Sequence, residues 1–371
     1  MAVPFLDLKA QYAGLRADVD DAIRQVVESQ HFVMGPRVES FENELAARLG
    51  SEHVVGCASG TDALLLSLRA LEAEPDAEVI VPAFTFFATA GAVWNAGLTP
   101  AWADVDPVDY NLTAETIEAA LTERTRAIVV VHLYGQMADM APILELAERR
   151  GLAVIEDVAQ ALGARQRLNG TWREAGTLGL FGAYSFFPTK ILGAFGDGGA
   201  ICSDDAAMAD RVAKLRVHGG RQMYHHEMVG TNSRLDALQA AVLSVKLPHV
   251  DAWIARRREV AERYSRGLAD VDGVSVPETR PHNEHVWNVY TLRAQERDRL
   301  REHLVGRGIG SNVYYPLPLH LQECFAGLGG KRGQMPASEA AAEQVLSLPM
   351  FPELADRQVD EVVEAVADFY G

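Results

Sequence analysis

The chain has 371 residues, enough for one large domain and a smaller one. Its formal charge of −17, from 34 basic against 51 acidic side chains, argues against broad nucleic-acid binding, which needs Lys and Arg to replace counterions. An apolar content of 48 % with 23 % charged residues is ordinary for a globular protein, and no apolar run approaches the roughly 18 residues that span a bilayer. Cys57, Cys202 and Cys324 are far apart, form no C-x-x-C pair and read as free thiols in a reducing compartment. The opening residues carry no basic patch followed by an apolar core, so a soluble cytoplasmic protein is expected.

In chain order, Val38, Phe41, Leu45 and Leu49 recur at helical spacing, with Gly35-Pro36 at the entry and Gly50 at the exit. A strand-like run at 54–58 leads through Gly60-Thr61-Asp62 into a second helix with Leu64, Leu65, Leu68 and Leu71 on one face. Apolar runs follow at 78–81, 127–133, 153–155, 183–187 and 200–202, several too apolar to alternate. Helical stretches such as 141–150 separate some of them, which is the pattern of a mostly parallel sheet with helices on both sides. After about residue 248 the texture changes. A long charged helix is expected at 251–268, a strand at 286–293, and a closing amphipathic helix with Val359, Val362, Val363, Val366 and Phe369 on its face. The chain therefore divides into a large α/β domain, 1–248, and a smaller α+β domain, 249–371. Arg256-Arg257-Arg258 reads as a solvated helix face.

Open α/β sheets bind ligands beyond the carboxyl ends of their strands, so the polar residues that follow the apolar runs deserve inspection. Ala58-Ser59-Gly60-Thr61-Asp62 is a strand-to-helix turn whose amides and dipole favour an anion, although a plain Ser/Thr cap accounts for it equally well. Glu156-Asp157-Val158-Ala159-Gln160 offers either a helix cap or a carboxylate that would keep a pyridine ring protonated, the better electron sink. Ser185-Phe186-Phe187-Pro188-Thr189-Lys190 precedes Gly193, Gly196, Gly198 and Gly199. A lysine in such surroundings has a depressed pKa and acts as an amine nucleophile, unless it is an ordinary surface lysine beside a tight turn. The glycines form neither a G-x-G-x-x-G fingerprint nor a Walker A loop, and the eleven histidines show no metal-binding spacing. Together the three places supply an anion cradle, an acid for a ring nitrogen and an amine for an aldehyde. Those are the needs of pyridoxal 5'-phosphate (PLP).

These residues resemble, nearly end to end, the DegT/DnrJ/EryC1/StrS sugar aminotransferases, within the aspartate-aminotransferase-like PLP fold type I. The likeness runs through Phe5-Leu6-Asp7-Leu8, Gly60-Thr61-Asp62-Ala63-Leu64, Pro82-Ala83-Phe84-Thr85-Phe86, the 156–161 and 185–190 segments, Gly196-Asp197-Gly198-Gly199, and Asn232-Ser233-Arg234-Leu235-Asp236 with Gln239-Ala240-Ala241. It implies a mostly parallel seven-stranded sheet sandwiched by helices. Lys190 would hold the cofactor covalently, Asp157 would pair with the pyridine nitrogen, and Gln160 would contact the ring or its 3-hydroxyl. The Gly60 backbone, Thr61 and Ser185 would bind the phosphate, and Phe86 would stack on the ring while Phe84 packs in the core. Asn232 would reach the neighbour's phosphate in an obligate homodimer.

The resemblance further implies L-glutamate as donor, cycling PLP with pyridoxamine phosphate (PMP), and a nucleotide keto-sugar as acceptor. The 216–219 and 224–234 segments look like members that aminate C3, those acting on UDP-2-acetamido-2-deoxy-3-keto-hexuronate first and dTDP-3-keto-6-deoxyhexose enzymes next, with C4 amination the alternative. Arg234, Tyr314, His320 and His225 are the substrate-binding candidates, Arg234 being equally a structural ion pair. His225 and His226 line either the sugar site or the subunit contact. Val313-Tyr314-Tyr315-Pro316 departs from the His-Tyr-Pro pattern of the uronate branch. A non-catalytic regulator of the same fold is the reading from another class.

Overall fold

Strands that are apolar on both faces need cover on both faces, and that requirement organises the chain. The computed structural model describes residues 2–371. Its strands begin with β1 His53–Cys57, β2 Glu78–Pro82, β3 Thr99–Ala103, β4 Thr125–Val131 and β5 Ala153–Asp157. A hairpin follows, β6 Arg165–Leu168 and β7 Thr171–Glu174, then β8 Phe181–Ser185 and β9 Gly199–Ser203. Seven of these form one sheet in the order β1-β9-β8-β5-β4-β2-β3. All neighbours run parallel except β9, which is antiparallel to both β1 and β8.

Side chains of a strand alternate between faces, and here both sets are apolar. Ile80, Ile128, Val130 and Val154 join one core with Phe41 and Leu45 of the helix Pro36–Leu49 and Leu243 of the helix Ala237–Lys246. Val79, Val81, Val129 and Ile155 join the other with Leu64 and Leu68 of the helix Gly60–Ala70 and Val93 of the helix Ala88–Asn95. Three layers result. The helix Pro36–Leu49 begins at a proline, whose missing N–H costs nothing there, and stops at Gly50, left-handed at φ 67° with its N–H on the Ala46 carbonyl.

The remaining strands are β10 Val274–Ser275, β11 Asn283–Glu284, β12 Tyr290–Ala294 and β13 Val345–Leu348. β10, β12 and β13 form a small antiparallel sheet. With the helices Val250–Leu268, Arg297–Gly306 and Asp356–Tyr370 they share a core containing Tyr264, Tyr290, Leu300 and Val362. The two cores do not divide at residue 248. The helix Val250–Leu268 contributes Val250 and Ile254 to the large core but Val260, Tyr264 and Leu268 to the small one. Val3 belongs to the small core, its N–H on the Gly308 carbonyl at 3.0 Å and its carbonyl accepting from Gly310 at 2.8 Å. β11 returns to pair with β6.

One reading of the arginine run is corrected. Arg257 is buried, not solvated, and its guanidinium donates to the carbonyls of Trp287, Asn288 and Met350 at 3.0, 3.2 and 3.1 Å. Burial lowers its pKa to about 10. Cys57 and Cys202 are buried and Cys324 is exposed, all as free thiols. No helix among the described residues is long and apolar enough to cross a membrane.

Candidate active site

The carboxyl ends of the parallel strands open into a cavity of about 700 Å³. Asp157 is the last residue of β5, Ser185 the last of β8, and Gly60 and Thr61 open the helix after β1; all four line it, with Lys190, Phe86 and Gln160. The small domain closes the other side with Asn288, Val289, Tyr314, Tyr315 and Met350.

Lys190 sits on a tightly tied loop. Its N–H bonds the Phe187 carbonyl at 2.9 Å, Ala194 N–H bonds the Phe186 carbonyl at 2.8 Å, and the Lys246 ammonium donates to the Gly193 carbonyl at 2.5 Å. Burial lowers the Lys190 amine to a pKa of about 8, against the opposing pull of Asp157.

Asp157 accepts from the Ala159 N–H at 3.1 Å on Oδ1 and from the Thr89 hydroxyl at 2.9 Å on Oδ2. Burial pushes its carboxyl up; the Ala159 amide, the Thr89 hydroxyl and Lys190 oppose that without reversing it. The preceding Glu156 serves a different purpose. It is fully buried and accepts N–H bonds from Gly176, Leu178 and Gly179 at 2.7–2.8 Å, so it ties the segment before β8 to β5. His132 Nδ1 accepts from the Ala138 N–H, so the ring proton lies on Nε2 and is given to Glu156 at 2.8 Å. Burial would raise the Glu156 carboxyl, but His132 and the backbone donors outweigh it and hold it below the usual range.

At the opposite end of the cavity, Ser59 caps its helix by accepting from the Asp62 N–H at 3.1 Å. The amides of Gly60 and Thr61 belong to the first turn, whose N–H groups have no carbonyl within the helix to meet. Glycine is required at 60 because a Cβ there would stand 2.5 Å from the Ser185 Cβ, and at 199 because one would stand 2.4 Å from the Ser59 carbonyl oxygen. Two strand ends and a helix start are thereby drawn together. Gln160 has its amide fixed at both ends, accepting from the Tyr134 N–H at 2.6 Å and donating to the Tyr315 hydroxyl at 3.2 Å. Phe86 is half exposed over the cavity, whereas Phe84 is buried against Tyr110 with ring centroids 5.6 Å apart.

The other expected residues lie elsewhere. His320 is wholly buried with Nε2 3.2 Å from Glu339, so it does not reach the cavity and the expectation that it binds substrate is corrected. Arg234 lies in a separate groove beside Glu39 and Glu42. Asn232 and His225 are exposed on the 217–232 segment, outside this chain's own cavity, and His226 has its Nδ1 3.0 Å from the His218 carbonyl. Tyr314 does line the cavity, and its carbonyl accepts from the Tyr134 hydroxyl. Sequence reasoning missed Thr89, Tyr134 and Asn288. None of the three left a signal in the sequence that marks it as a site residue.

An amine of lowered pKa, a buried acid and a helix start kept open by glycine suit the aldehyde, ring nitrogen and phosphate of PLP. The DegT/DnrJ/EryC1/StrS aminotransferase family matches residues 14–367. The chain is 49 % identical to a pleiotropic regulatory protein of Geobacillus stearothermophilus, covering 100 % of this chain and 99 % of the relative. It is 47 % identical to dTDP-3-amino-3,4,6-trideoxy-alpha-D-glucose transaminase of Streptomyces venezuelae, covering 99 % and 96 %. It is 45 % identical to UDP-N-acetyl-3-dehydro-alpha-D-glucosamine 3-aminotransferase of Acidithiobacillus ferrooxidans, covering 98 % and 97 %. Among solved structures, DesV of S. venezuelae in complex with a ketimine intermediate superposes with a TM-score of 0.96 at 46 % identity, covering 100 % of this chain and 98 % of that one. The chain belongs to the DegT/DnrJ/EryC1/StrS aminotransferase family and is a PLP-dependent enzyme of fold type I.

Proposed function

We propose that the protein moves an amino group from L-glutamate to C3 of a nucleotide-linked 3-keto-sugar, working as a homodimer. The observation that carries the reading is the meeting of Lys190, Asp157 and the Gly60–Thr61 helix start around one cavity. When bound, PLP supplies an electron sink for the bond broken at the donor's Cα. Lys190 tethers the cofactor and, when the donor displaces it, moves a proton at that carbon; an amine with a pKa of about 8 has an appreciable neutral fraction near pH 7. Asp157 holds a proton at the ring nitrogen, and Gly60, Thr61 and Ser185 anchor the phosphate. Gln160, fixed by Tyr134 and Tyr315, orients the ring from one side and Phe86 covers it.

The names of the Streptomyces and Acidithiobacillus relatives share amination at C3 while differing in nucleotide, which supports C3 and leaves both dTDP- and UDP-sugars as substrates to test. The hexuronate favoured by the 216–234 resemblance would bring a carboxylate. Lys190 is the only cation among the described residues lining the cavity, and Phe86, Val289, Tyr314 and Tyr315 give it an apolar wall. A cation for that carboxylate, or for the nucleotide's phosphates, would have to come from the second copy, so the hexuronate and the uncharged 2-acetamido and 6-deoxy hexoses are all substrates to test.

The test is spectroscopic and then chemical. L-Glutamate should convert the visible band of the PLP-loaded protein to that of PMP, and a 3-keto-sugar should restore it, with NMR placing the new amine on C3. Hexuronate and neutral sugars belong in the same panel. A protein that binds PLP but neither responds to glutamate nor aminates any keto-sugar would be a regulator, the role in the Geobacillus relative's name.

A further inference from the structure

We infer that Thr89 is a positioning residue for Asp157, keeping its carboxylate charged and turned so that it meets the cofactor's ring nitrogen. The inference rests on the reading of Asp157 as the partner of that nitrogen. Thr89 is the second residue of the helix Ala88–Asn95 and is 1 % exposed. A buried threonine on a helix commonly returns its hydroxyl to the carbonyl one turn back. This one crosses instead to Asp157 Oδ2, 2.9 Å away and 68 residues later in the chain.

The direction of that bond has consequences. An ionised carboxylate only accepts, so the single hydroxyl hydrogen of Thr89 is committed to it. The Thr85 hydroxyl, 3.5 Å from that of Thr89, must then be the donor in their contact. That contact is long, so the bond that acts on Asp157 is the one from Thr89, and all three side chains are buried. Oδ1 is held independently by the Ala159 N–H at 3.1 Å. Each oxygen thus receives one protein donor and keeps lone-pair capacity for the cavity it lines. A proton on Asp157 would weaken as an acceptor the oxygen that carries it, so both donors favour the charged form. Burial works against the charge on this carboxyl, so each donor that favours it matters.

The experiment uses the whole protein loaded with PLP labelled with ¹⁵N in the ring, whose chemical shift separates pyridinium from neutral pyridine, alongside the PLP dissociation constant. The unaltered protein should show pyridinium. Thr89→Val, similar in shape but without the hydroxyl, should move the ring nitrogen toward the neutral form and weaken PLP binding by about tenfold or more, the scale of one hydrogen bond to a charged group. Thr89→Ser should restore both to near the unaltered values. A pyridinium signal with undiminished affinity in Thr89→Val overturns the inference. So does equal impairment of Thr89→Ser, which would make the methyl group the important feature. If Thr89→Val does not fold, the comparison of Thr89→Ala with Thr89→Ser decides on the same terms. A neutral nitrogen in the unaltered protein overturns the reading of Asp157 itself, and this inference with it.

Discussion

Asp157 is buried and Lys190 half-buried in the cavity wall, and burial penalises the charge on each. For the lysine the consequence is kinetic. Only the neutral amine attacks an aldehyde, and its fraction rises about tenfold per pH unit below the pKa and levels off above it. The rate at which PLP-free protein captures PLP should therefore climb with pH and flatten near 8, where an ordinary lysine would keep climbing to 10.5. Stopped-flow absorbance measures this directly, and a plateau only near the ordinary value would mean that the amine is not desolvated. These two residues were legible in the sequence because each follows an apolar run in an α/β chain, where chemistry collects. Thr89 and Tyr134 were not, since threonine and tyrosine are common and nothing local says which buried group they will meet. His320 misled for the converse reason. It lies four residues beyond the Val313-Tyr314-Tyr315-Pro316 motif, but chain neighbourhood does not set side-chain direction, and its ring turns to Glu339.

At the scale of elements, the helix Gly60–Ala70 does two separable jobs through adjacent residues. Ser59 caps it; Gly60 lets Ser185 approach. Ser59→Ala should cost about 1 kcal/mol of stability in urea unfolding, the usual value of a lost cap, with modest change in PLP affinity. Gly60→Ala places a methyl group where the Ser185 Cβ already stands, so strand or helix must shift, at roughly 1–3 kcal/mol. Its larger effect should be a loss of PLP affinity of about tenfold or more, since the displaced amides are the proposed phosphate donors. Equal PLP affinities for the two variants would remove the reason for glycine here. The apolar strands were readable because cover on both faces leaves continuous hydrophobic runs. The β6–β7 hairpin was not, because its strands are short and largely polar, and its signal reduces to Asn169-Gly170. Both of those residues have positive φ, 48° and 82°, as a two-residue hairpin turn of this type demands.

Across the whole molecule, the change of texture near residue 248 reported a second core but not the way the cores share chain. A helix common to both looks continuous in sequence, and the two hydrogen bonds by which Val3 bridges to Ile309, through Gly308 and Gly310, join positions some 300 residues apart, which no local pattern encodes. The same scale holds the last unmatched surface. Met223, Tyr224 and Val229 are 80, 90 and 90 % exposed within the 217–232 segment, and Phe86, Trp94, Phe187 and Phe195 are about half exposed. Met223, Tyr224 and Val229 line one groove, and exposed large apolar side chains grouped in this way mark a protein contact more often than free surface. Asn232, at the end of that segment, cannot serve its own cavity from where it lies. Both facts are met by a symmetric second copy that covers the segment and receives Asn232 at its phosphate site. Light scattering should therefore find a dimer. Tyr224→Asp with Val229→Asp should shift it toward monomer and weaken PLP binding together, because two buried charges oppose the contact and the donated residue leaves with it. Asn232→Ala should leave the dimer intact yet weaken PLP binding about tenfold, the scale of one hydrogen bond to a charged phosphate. If the double variant became monomeric but held PLP as firmly as before, each subunit would own a complete cofactor site, and the exposed segment would need a different partner.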